Sequence, residues 1–330
     1  MAKSKKTLLI LLCVLVLAAA AYIISVEVAK HKAAEDTGAR VGALSGDLNA
    51  LTLTANGETN AFTFDKAQDK WLLDADEEYP LRSSPLNTIF NKMKSLTASR
   101  VFEATEGPAF YGFEPPTYAV SAVDADGQRL DLLVGKALDD ERYYATEQGG
   151  TTVYIISSEF ADALDQTLLG LARADSLPTL NKKDITELDI TSEGLPQHLF
   201  IRSAAGDGYE RFIRTPVQSS TGELEDDEAL SKSFDDLFGY VSELSVESAA
   251  DWKVTDTQAA AYGLNAPYAV LRVSYDGDKT GSYTLTVGAL DEEGVTRYCR
   301  LDDSDMIVTV RATFIDRVLS NAAALASQTD

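Results

Sequence analysis

The sequence predicts an α+β fold: an N-terminal transmembrane helix followed by two tandem copies of a mostly antiparallel sheet-plus-helices domain. Three observations support this: an uncharged apolar run near the N-terminus, a Tyr-Gly turn that occurs twice, and matched apolar patterns around both turns. We divide the chain into a cytoplasmic tip with a transmembrane anchor (1–30), a linker (31–45), copy 1 (46–177) and copy 2 (178–330).

The N-terminal segment has the length and flanks of a membrane anchor. Lys3, Lys5 and Lys6 precede an uncharged run from Thr7 to Ile24, which extends to Val28 with Ser25 and Glu27 tolerated near the interface. About 20 residues at ~1.5 Å each span the ~30 Å hydrocarbon core of a bilayer. The basic flank predicts a cytoplasmic N-terminus and an extracytoplasmic region at 31–330. The protein is therefore predicted to cross the cell membrane once, through residues 7–28.

Two other interpretations of this segment are weaker. A cleaved signal peptide would use the small residues Ala18–Ala21, but an apolar run continues directly after them. A lipoprotein would need small residues before Cys13, and bulky aliphatic residues stand there instead. Cys299 is then the one thiol of the external region, which excludes an intramolecular disulfide there. Its alternating surroundings favour a half-buried strand position over a reactive thiol.

The repeated turn marks the same point in both copies. Tyr111-Gly112 and Tyr262-Gly263 each follow a short helical segment and precede a proline and an extended run. A glycine that ends a helix commonly adopts positive φ, and a following proline prevents the helix from continuing. Each turn is therefore predicted to join a helical turn to a strand.

Aligning the copies on this turn matches the elements before it. Each copy opens with about three strands, whose matched apolar positions are Leu48 with Ile185, Leu51 with Leu188, Leu53 with Ile190, Phe62 with Leu199, Phe64 with Ile201, and Trp71 with Phe212. A helix follows, with Ser83 or Ser84 as its cap and Pro85 at its first position. Its apolar face is predicted to pack on the sheet, and comprises Leu86, Ile89, Phe90, Met93 and Leu96 in copy 1 and Phe234, Leu237, Phe238, Val241 and Leu244 in copy 2.

Hairpins, a last strand and a terminal helix follow the turn. Asp126-Gly127 and Asp276-Gly277 are predicted hairpin tips with positive φ at glycine. The acidic residues around Asp124 lack the ligand spacing of an EF-hand, so we prefer the hairpin to a calcium site. Further matches are Val134-Gly135 with Val287-Gly288, Arg142-Tyr143 with Arg297-Tyr298, and Val153–Ile156 with Ile307–Val310.

The charge and the motifs exclude several functions. A net charge of −23 argues against a nucleic-acid partner, because phosphates need Lys and Arg. The chain has no nucleophile elbow, P-loop, zinc-protease motif or dinucleotide fingerprint. His198, aligned with Ala61, is interpreted as a surface strand residue and not as a general base. The acidic run at 223–228 is interpreted as a solvated loop, with metal capture the weaker alternative. We predict no catalytic, cofactor-binding or metal-binding residues and no cofactor.

The pattern resembles an uncharacterised bacterial family, the domain-of-unknown-function family 4340. The shared marks are the basic N-terminal helix, Trp71 before an amphipathic helix, the Tyr-Gly turns with their prolines, and the aliphatic-Gly motifs ending at Gly135 and Gly288. Phe113 and Ala266 depart mildly from the family's turn. Members often accompany ABC-type export components linked to gliding motility. The resemblance therefore implies an outward-facing accessory subunit beside permease and ATPase subunits, and it supplies no catalytic residues.

Three functional hypotheses remain. The first is a non-enzymatic, membrane-anchored accessory or scaffold protein that acts through strand edges or through the groove between the copies. The second is an extracytoplasmic binding module for cell-wall polymer or a small ligand, with a pocket lined by Tyr79, Tyr154, Tyr209 and Tyr240. The third is a hydrolase that uses two carboxylates.

Overall fold

The chain forms two compact units, Met1–Leu171 (unit 1) and Ala172–Asp330 (unit 2). The computed structural model describes residues 38–193, 195–205, 208–214, 222–223 and 228–327. The apolar segment at 7–28 and most of the acidic run at 223–228 lie outside these ranges. Across the described ranges, no helix has the length and hydropathy needed to cross a bilayer. The predicted boundary between residues 177 and 178 lies a few residues beyond the division after Leu171.

Unit 1 has an eight-stranded sheet, a separate two-stranded sheet made of β1 (Ala39–Arg40) and β5 (Thr97–Ala98), two longer helices packed against each other and two single-turn helices. Its strands are β1 (Ala39–Arg40), β2 (Leu48–Ala55), β3 (Glu58–Asp65), β4 (Lys70–Leu73), β5 (Thr97–Ala98), β6 (Arg100–Glu103), β7 (Tyr118–Asp124), β8 (Arg129–Asp139), β9 (Arg142–Glu147) and β10 (Thr152–Ser157). Its helices are α1 (Ser83–Lys94), α2 (Pro108–Tyr111), α3 (Ser158–Leu164) and α4 (Leu168–Leu171).

Unit 2 repeats this succession of elements. Its strands are β11 (Ile185–Ser192), β12 (Leu195–Ala205), β13 (Gly208–Arg214), β14 (Gly222–Glu223), β15 (Val246–Trp252), β16 (Ala269–Asp276), β17 (Thr280–Leu290), β18 (Thr296–Leu301) and β19 (Met306–Arg311). Its helices are α5 (Glu228–Ser242), α6 (Asp256–Ala261) and α7 (Ala312–Ala326).

The two sheets share one strand order. In unit 1 the order is β4-β3-β2-β7-β8-β9-β10-β6, and in unit 2 it is β14-β13-β12-β11-β16-β17-β18-β19-β15. The described pairs are antiparallel, and β14 is an addition at one edge. The predicted pair of mostly antiparallel sheet-plus-helix units is thus confirmed. The edge strands β6 and β15 did not emerge from the sequence pattern, because neither has a run of alternating apolar residues.

The predicted helical stripes form the core. All ten side chains of the two stripes are buried, in α1 and α5 and the residues just after them. Each helix covers the face of its sheet that carries the alternating apolar residues, such as Leu51 and Leu53 in β2. The predicted cap of α1 is wrong. Arg82 is the N-cap and makes no side-chain cap bond, and Pro85 is the third helical residue. Proline is tolerated there because N–H groups in the first turn have no helical acceptor.

The predicted alignment of β3 with β12 is wrong by one residue. Leu51 pairs with Phe62 in unit 1, and its counterpart Leu188 pairs with Phe200 in unit 2, so Phe62 corresponds to Phe200 and not to Leu199. A register shift opposite Ile190–Ser192 places an extra residue within β12, between Leu195 and His198. Because strand side chains alternate between faces, this single residue decides which ones reach the core.

Candidate functional site

The two glycine motifs of each unit meet and form one joint. Gly112 ends α2 with φ 78°, and Gly263 follows α6 with φ 72°, as predicted. A Cβ on Gly112 would lie 2.5 Å from the backbone nitrogen of Lys136. A Cβ on Gly135 or Gly288 would overlap the carbonyl oxygen of the tyrosine in the facing turn. Glycine is therefore needed on both sides of the contact between the Tyr-Gly turn and the aliphatic-Gly strand.

The joint lies on the face of the unit 1 sheet opposite α1. Tyr111 packs with Leu133 and Val153, whereas the neighbouring Leu132 belongs to the face that α1 covers. Four rings lie around Tyr111, with centroid separations of 5.0 Å from Phe110, 5.3 Å from Tyr144, 5.8 Å from Phe113 and 6.2 Å from Phe102. Only 3% of Tyr111 is exposed. In unit 1 the joint is an aromatic cluster around a buried tyrosine, with Phe110 exposed at its edge, and such clusters stabilise a fold.

The same joint is open in unit 2. Tyr262 and Tyr298 form a ring pair at 4.6 Å, and both are half-buried. By strand pairing, Asp251 of unit 2 corresponds to Phe102 of unit 1. Ala261 precedes Tyr262 at the position where Phe110 precedes Tyr111. Tyr262 donates a hydrogen bond of 2.7 Å to Asp251 Oδ2. Burial and this carboxylate raise the pKa of Tyr262 to about 12, so its hydroxyl keeps its proton at neutral pH.

A row of hydroxyl groups lies beside this tyrosine pair. Ser248 pairs with Thr309 across β15 and β19, and Thr309 pairs with Tyr298 across β19 and β18. The Oγ atoms of Ser248 and Thr309 are 2.9 Å apart. The corresponding row of unit 1 is Arg100, Ile155 and Tyr144. Strand pairing thus makes Tyr144, and not the predicted Tyr143, the counterpart of Tyr298.

A surface pocket of about 510 Å³ lies beside this row in unit 2, and we call it the hydroxyl pocket. It is lined by Glu247, Ser248, Ala249, Ala250, Asp291, Glu292, Glu293, Thr296, Tyr298 and Thr309. Asp291 accepts hydrogen bonds from the Thr296 hydroxyl and the Val295 N–H, both at 2.8 Å. The Thr296 bond, followed by those from backbone N–H groups, lowers the pKa of Asp291 despite its partial desolvation, so this carboxylate is ionised at neutral pH.

The sequence held a signal for this pocket that motif matching missed. In the alignment of the final strands, Thr309 corresponds to Ile155, so a polar residue occupies a position that is apolar in the other copy. The acidic turn at 291–293 follows the matched aliphatic-Gly motif directly. Only the strand pairing shows that this turn, Ser248 and Tyr298 lie around one cavity.

The units also differ beneath their first long helices. In unit 1, Phe64 packs edge-on against Trp71 at 5.3 Å, and Trp71 Nε1 donates to Asn87 Oδ1 at 2.7 Å. In unit 2, strand pairing places Arg202 and Arg211 at the positions of Phe64 and Trp71, so Trp71 does not correspond to Phe212.

The arginines of unit 2 are paired internally. Arg211 makes a bidentate contact with Asp235 at 3.0 and 3.1 Å, and Asp235 lies on α5 where Asn87 lies on α1. Arg202 is buried, donates to the Ile185 carbonyl at 2.8 Å and lies 4.8 Å from the ring centroid of Phe238. This cluster satisfies its own charges, so its geometry is structural.

Asp124 is a structural carboxylate. It is fully buried and accepts hydrogen bonds from the backbone N–H groups of Ser45, Gly46, Asp126 and Gln128 at 2.8–3.1 Å. Burial opposes its charge, but these four bonds together lower the pKa of Asp124. Both oxygens are engaged in this way, which supports the hairpin over the calcium interpretation. Within the described residues, no group of three or more His, Cys, Asp or Glu side chains could hold a metal ion.

The hairpin glycines have different roles. Gly127 has φ 80°, as predicted, but Gly277 does not have positive φ. A Cβ on Gly277 would lie 2.6 Å from Cγ of Asp184, so close approach and not backbone conformation requires glycine there. The β16–β17 hairpin has a three-residue tip after Asp276, and this replaces the tight turn that Asp-Gly suggests.

His198 is buried, so its interpretation as a surface residue is wrong. It pairs with Ile190 on the core side of β12, stacks on Phe200 at 6.3 Å and contacts the Pro196 carbonyl through Nδ1. The register shift explains the error, since Asn60 and not Ala61 occupies the matching position. Cys299 is also fully buried, not half-buried, and burial raises the pKa of its thiol to about 12, which keeps it unreactive.

Four surface pockets among the described residues, including the hydroxyl pocket, are lined by residues other than the tyrosines of the second hypothesis. Tyr79 is buried and donates to the Leu168 carbonyl at 3.0 Å. Tyr154 bonds Glu147 at 3.1 Å, and the Arg317 guanidinium lies 5.2 Å from the Tyr240 ring centroid. The side chain of Tyr209 lies outside the described residues.

Comparison with known proteins gives one result. Searches of curated proteins and of solved structures returned no match. The sequence profile described as "Domain of unknown function (DUF4340)" matches residues 71–267, from β4 of unit 1 to the proline after the second Tyr-Gly turn. The matched range includes both Tyr-Gly turns, and it covers more than half of the 330 residues. The chain therefore belongs to the DUF4340 family.

Proposed function

We propose that this protein is a non-enzymatic accessory or scaffold subunit, anchored by residues 7–28 and presenting residues 31–330 outside the cell to an ABC-type transport complex. The observation that carries the proposal is the nature of the repeated motif. Within the family match, both Tyr-Gly turns fold as joints in which glycine permits close contact with the aliphatic-Gly strand. A duplicated structural motif of this kind is consistent with a protein that acts by contacting other proteins through its surface.

The unit surfaces favour hairpin docking over strand addition. β6 is short and has a charged residue at each end, and β15 has two register shifts. Short, charged or bulged edges resist pairing with another strand. By contrast, the β17–β18 hairpin exposes 44% of Leu290 and 50% of Val295. We propose that this apolar tip contacts the transport complex.

Co-purification from native membranes tests the proposal. The tagged full chain, extracted in mild detergent, is expected to bring down permease and ATPase subunits. Leu290→Ser with Val295→Ser should reduce this recovery without lowering the thermal unfolding temperature, because both side chains are solvent-exposed. Leu169→Ser, at a 39% exposed position in unit 1, is the matched control and should retain recovery. Absence of transporter subunits from the wild-type preparation would overturn the accessory proposal.

The hydroxyl pocket supports a second candidate function, a binding module for cell-wall polymer or a small ligand. Pockets that bind ligands combine an apolar or aromatic wall with a few fixed polar groups, and Tyr298 with the Ser248–Thr309 hydroxyls has this composition. A thermal-shift screen of the full chain against glycans and small solutes tests it. Stabilisation by a glycan that Thr309→Ile abolishes would support this function, and no shift across the panel would count against it.

A further inference from the structure

We propose that the hydroxyl pocket of unit 2 binds a saccharide that carries free ammonium groups. The inference rests on the second candidate function and names its ligand class. It starts from one difference between the copies: Thr309, which lines the pocket, occupies the position of the buried Ile155 of unit 1. Unit 1 folds with isoleucine at this position, so a hydroxyl group there is not a requirement of the fold.

The hydroxyl groups of Ser248, Thr309 and Tyr298 favour a ligand that carries several hydroxyl groups, a polyol. Ser248, Thr309 and Tyr298 lie on three adjacent strands, which at ~4.8 Å per strand form a row roughly 10 Å long. Each hydroxyl can both donate and accept a hydrogen bond, as sugar hydroxyls do. A lysine ammonium only donates, and it would leave the donor capacity of the row unmatched. The half-buried Tyr298 ring supplies the aromatic surface.

The acidic residues that line the hydroxyl pocket, which we call its rim, favour a positively charged ligand. Glu247, Asp291, Glu292 and Glu293 line the pocket, and its described lining residues include no lysine or arginine. Arg311 contacts Glu247 at 3.2 Å, which leaves Asp291 and the exposed Glu292 and Glu293 to set the local potential. A phosphate-rich polymer would be repelled by this rim, whereas an ammonium group would be attracted by its carboxylates and by the face of Tyr298.

Isothermal titration of the full chain with matched oligomers tests the inference. Glucosamine oligomers are expected to bind saturably, and N-acetylglucosamine oligomers of equal length, which lack the charge, about tenfold more weakly. Glu292→Gln with Glu293→Gln should weaken glucosamine binding by about the same factor. Asp140→Asn with Glu141→Gln, in the corresponding exposed turn of unit 1, should leave binding unchanged.

Two further variants test the contribution of the hydroxyl row separately from that of the acidic residues. Thr309→Ile introduces the side chain that unit 1 carries at Ile155 and should abolish binding, and Ser248→Ala should weaken it while circular dichroism confirms the fold. Equal binding of the N-acetylated oligomers, full binding by Thr309→Ile, or tighter binding of oligolysine than of glucosamine oligomers would each overturn the inference. Co-purification of transporter subunits is scored separately, so a failure here leaves the accessory proposal standing.

Discussion

The two units carry out the same packing task with opposite chemistry. Beneath α1 of unit 1, Phe64, Trp71 and Asn87 form an aromatic contact closed by one hydrogen bond. Beneath α5 of unit 2, Arg202, Arg211 and Asp235 occupy the same positions as an ion-paired cluster. The Tyr-Gly joint differs in the same sense, packed in unit 1 and open in unit 2. The copies therefore preserve strand order and joint glycines, while the side chains between them have diverged freely.

This comparison suggests a division of roles between the units. Unit 1 has aromatic residues at both places, whereas unit 2 has polar groups beneath α5 and the hydroxyl pocket beside its joint. Replacing an aromatic cluster by an internally paired charge cluster has little net benefit for stability, because desolvation offsets the attraction between the charges. The paired charges of unit 2 thus maintain the packing beneath α5 without a clear gain in stability over the aromatic contact of unit 1.

The largest effect is expected from removing the aromatic contact of unit 1. Trp71→Ala deletes a side chain that is 2% exposed and leaves a cavity against Phe64 and Phe90, so it should destabilise unit 1 by about 3–5 kcal/mol. Denaturant unfolding followed by circular dichroism measures this loss. The fluorescence of Trp252, then the remaining tryptophan, reports unit 2 separately. An unchanged unfolding midpoint would show that the contact does not hold α1.

A smaller loss is expected from the charged counterpart. Asp235→Ala removes the bidentate acceptor of Arg211 and the carboxylate that lies 3.8 Å from the buried Arg202, which should cost about 1–3 kcal/mol in unit 2. The partial exposure of Asp235 keeps the cost below that of a fully buried pair. Asp236→Ala is the matched control, because it breaks only the exposed pair with Lys232 and should have little effect. Equal losses in both variants would contradict a special role for Asp235.

The smallest effect depends on pH. Because the folded-state pKa of Asp124 is lowered, its ionised form stabilises unit 1 fully above the unfolded-state pKa of about 4, and this contribution is lost as pH falls through the folded-state value. Asp124→Asn should therefore lower the urea midpoint of unit 1 at neutral pH. The difference from wild type should shrink below about pH 4.

The control for this pH dependence is Asp126→Asn, in the same turn but exposed, which should behave like wild type throughout. A constant difference between Asp124→Asn and wild type at all pH values would mean that the charge of Asp124 contributes nothing. Unit 2 provides an internal reference, since the pairing position of Asp124 is held there by Tyr275.

Patterns within one chain segment were predicted well. The helical stripes ending at Leu96 and Leu244, the strands around Leu51 and Leu188, and the glycine at the end of each short helix follow from periodicity and backbone sterics. Patterns that depend on how one strand pairs with another were not predicted well. The bulge at Ile190 shifted β12, and with it the faces assigned to His198 and the counterpart of Trp71.

The sequence by itself determined that one sheet-plus-helix unit is used twice, because residue periodicity and glycine sterics act locally and leave the same trace in both copies. It also showed that Gly112 and Gly263 are needed for the bend. Only the tertiary structure decided that Ser248, Thr309 and Tyr298 form one row and that Arg202 replaces Phe64. The reason is physical: strand pairing brings distant segments together, and a one-residue shift in register exchanges the buried face for the exposed one.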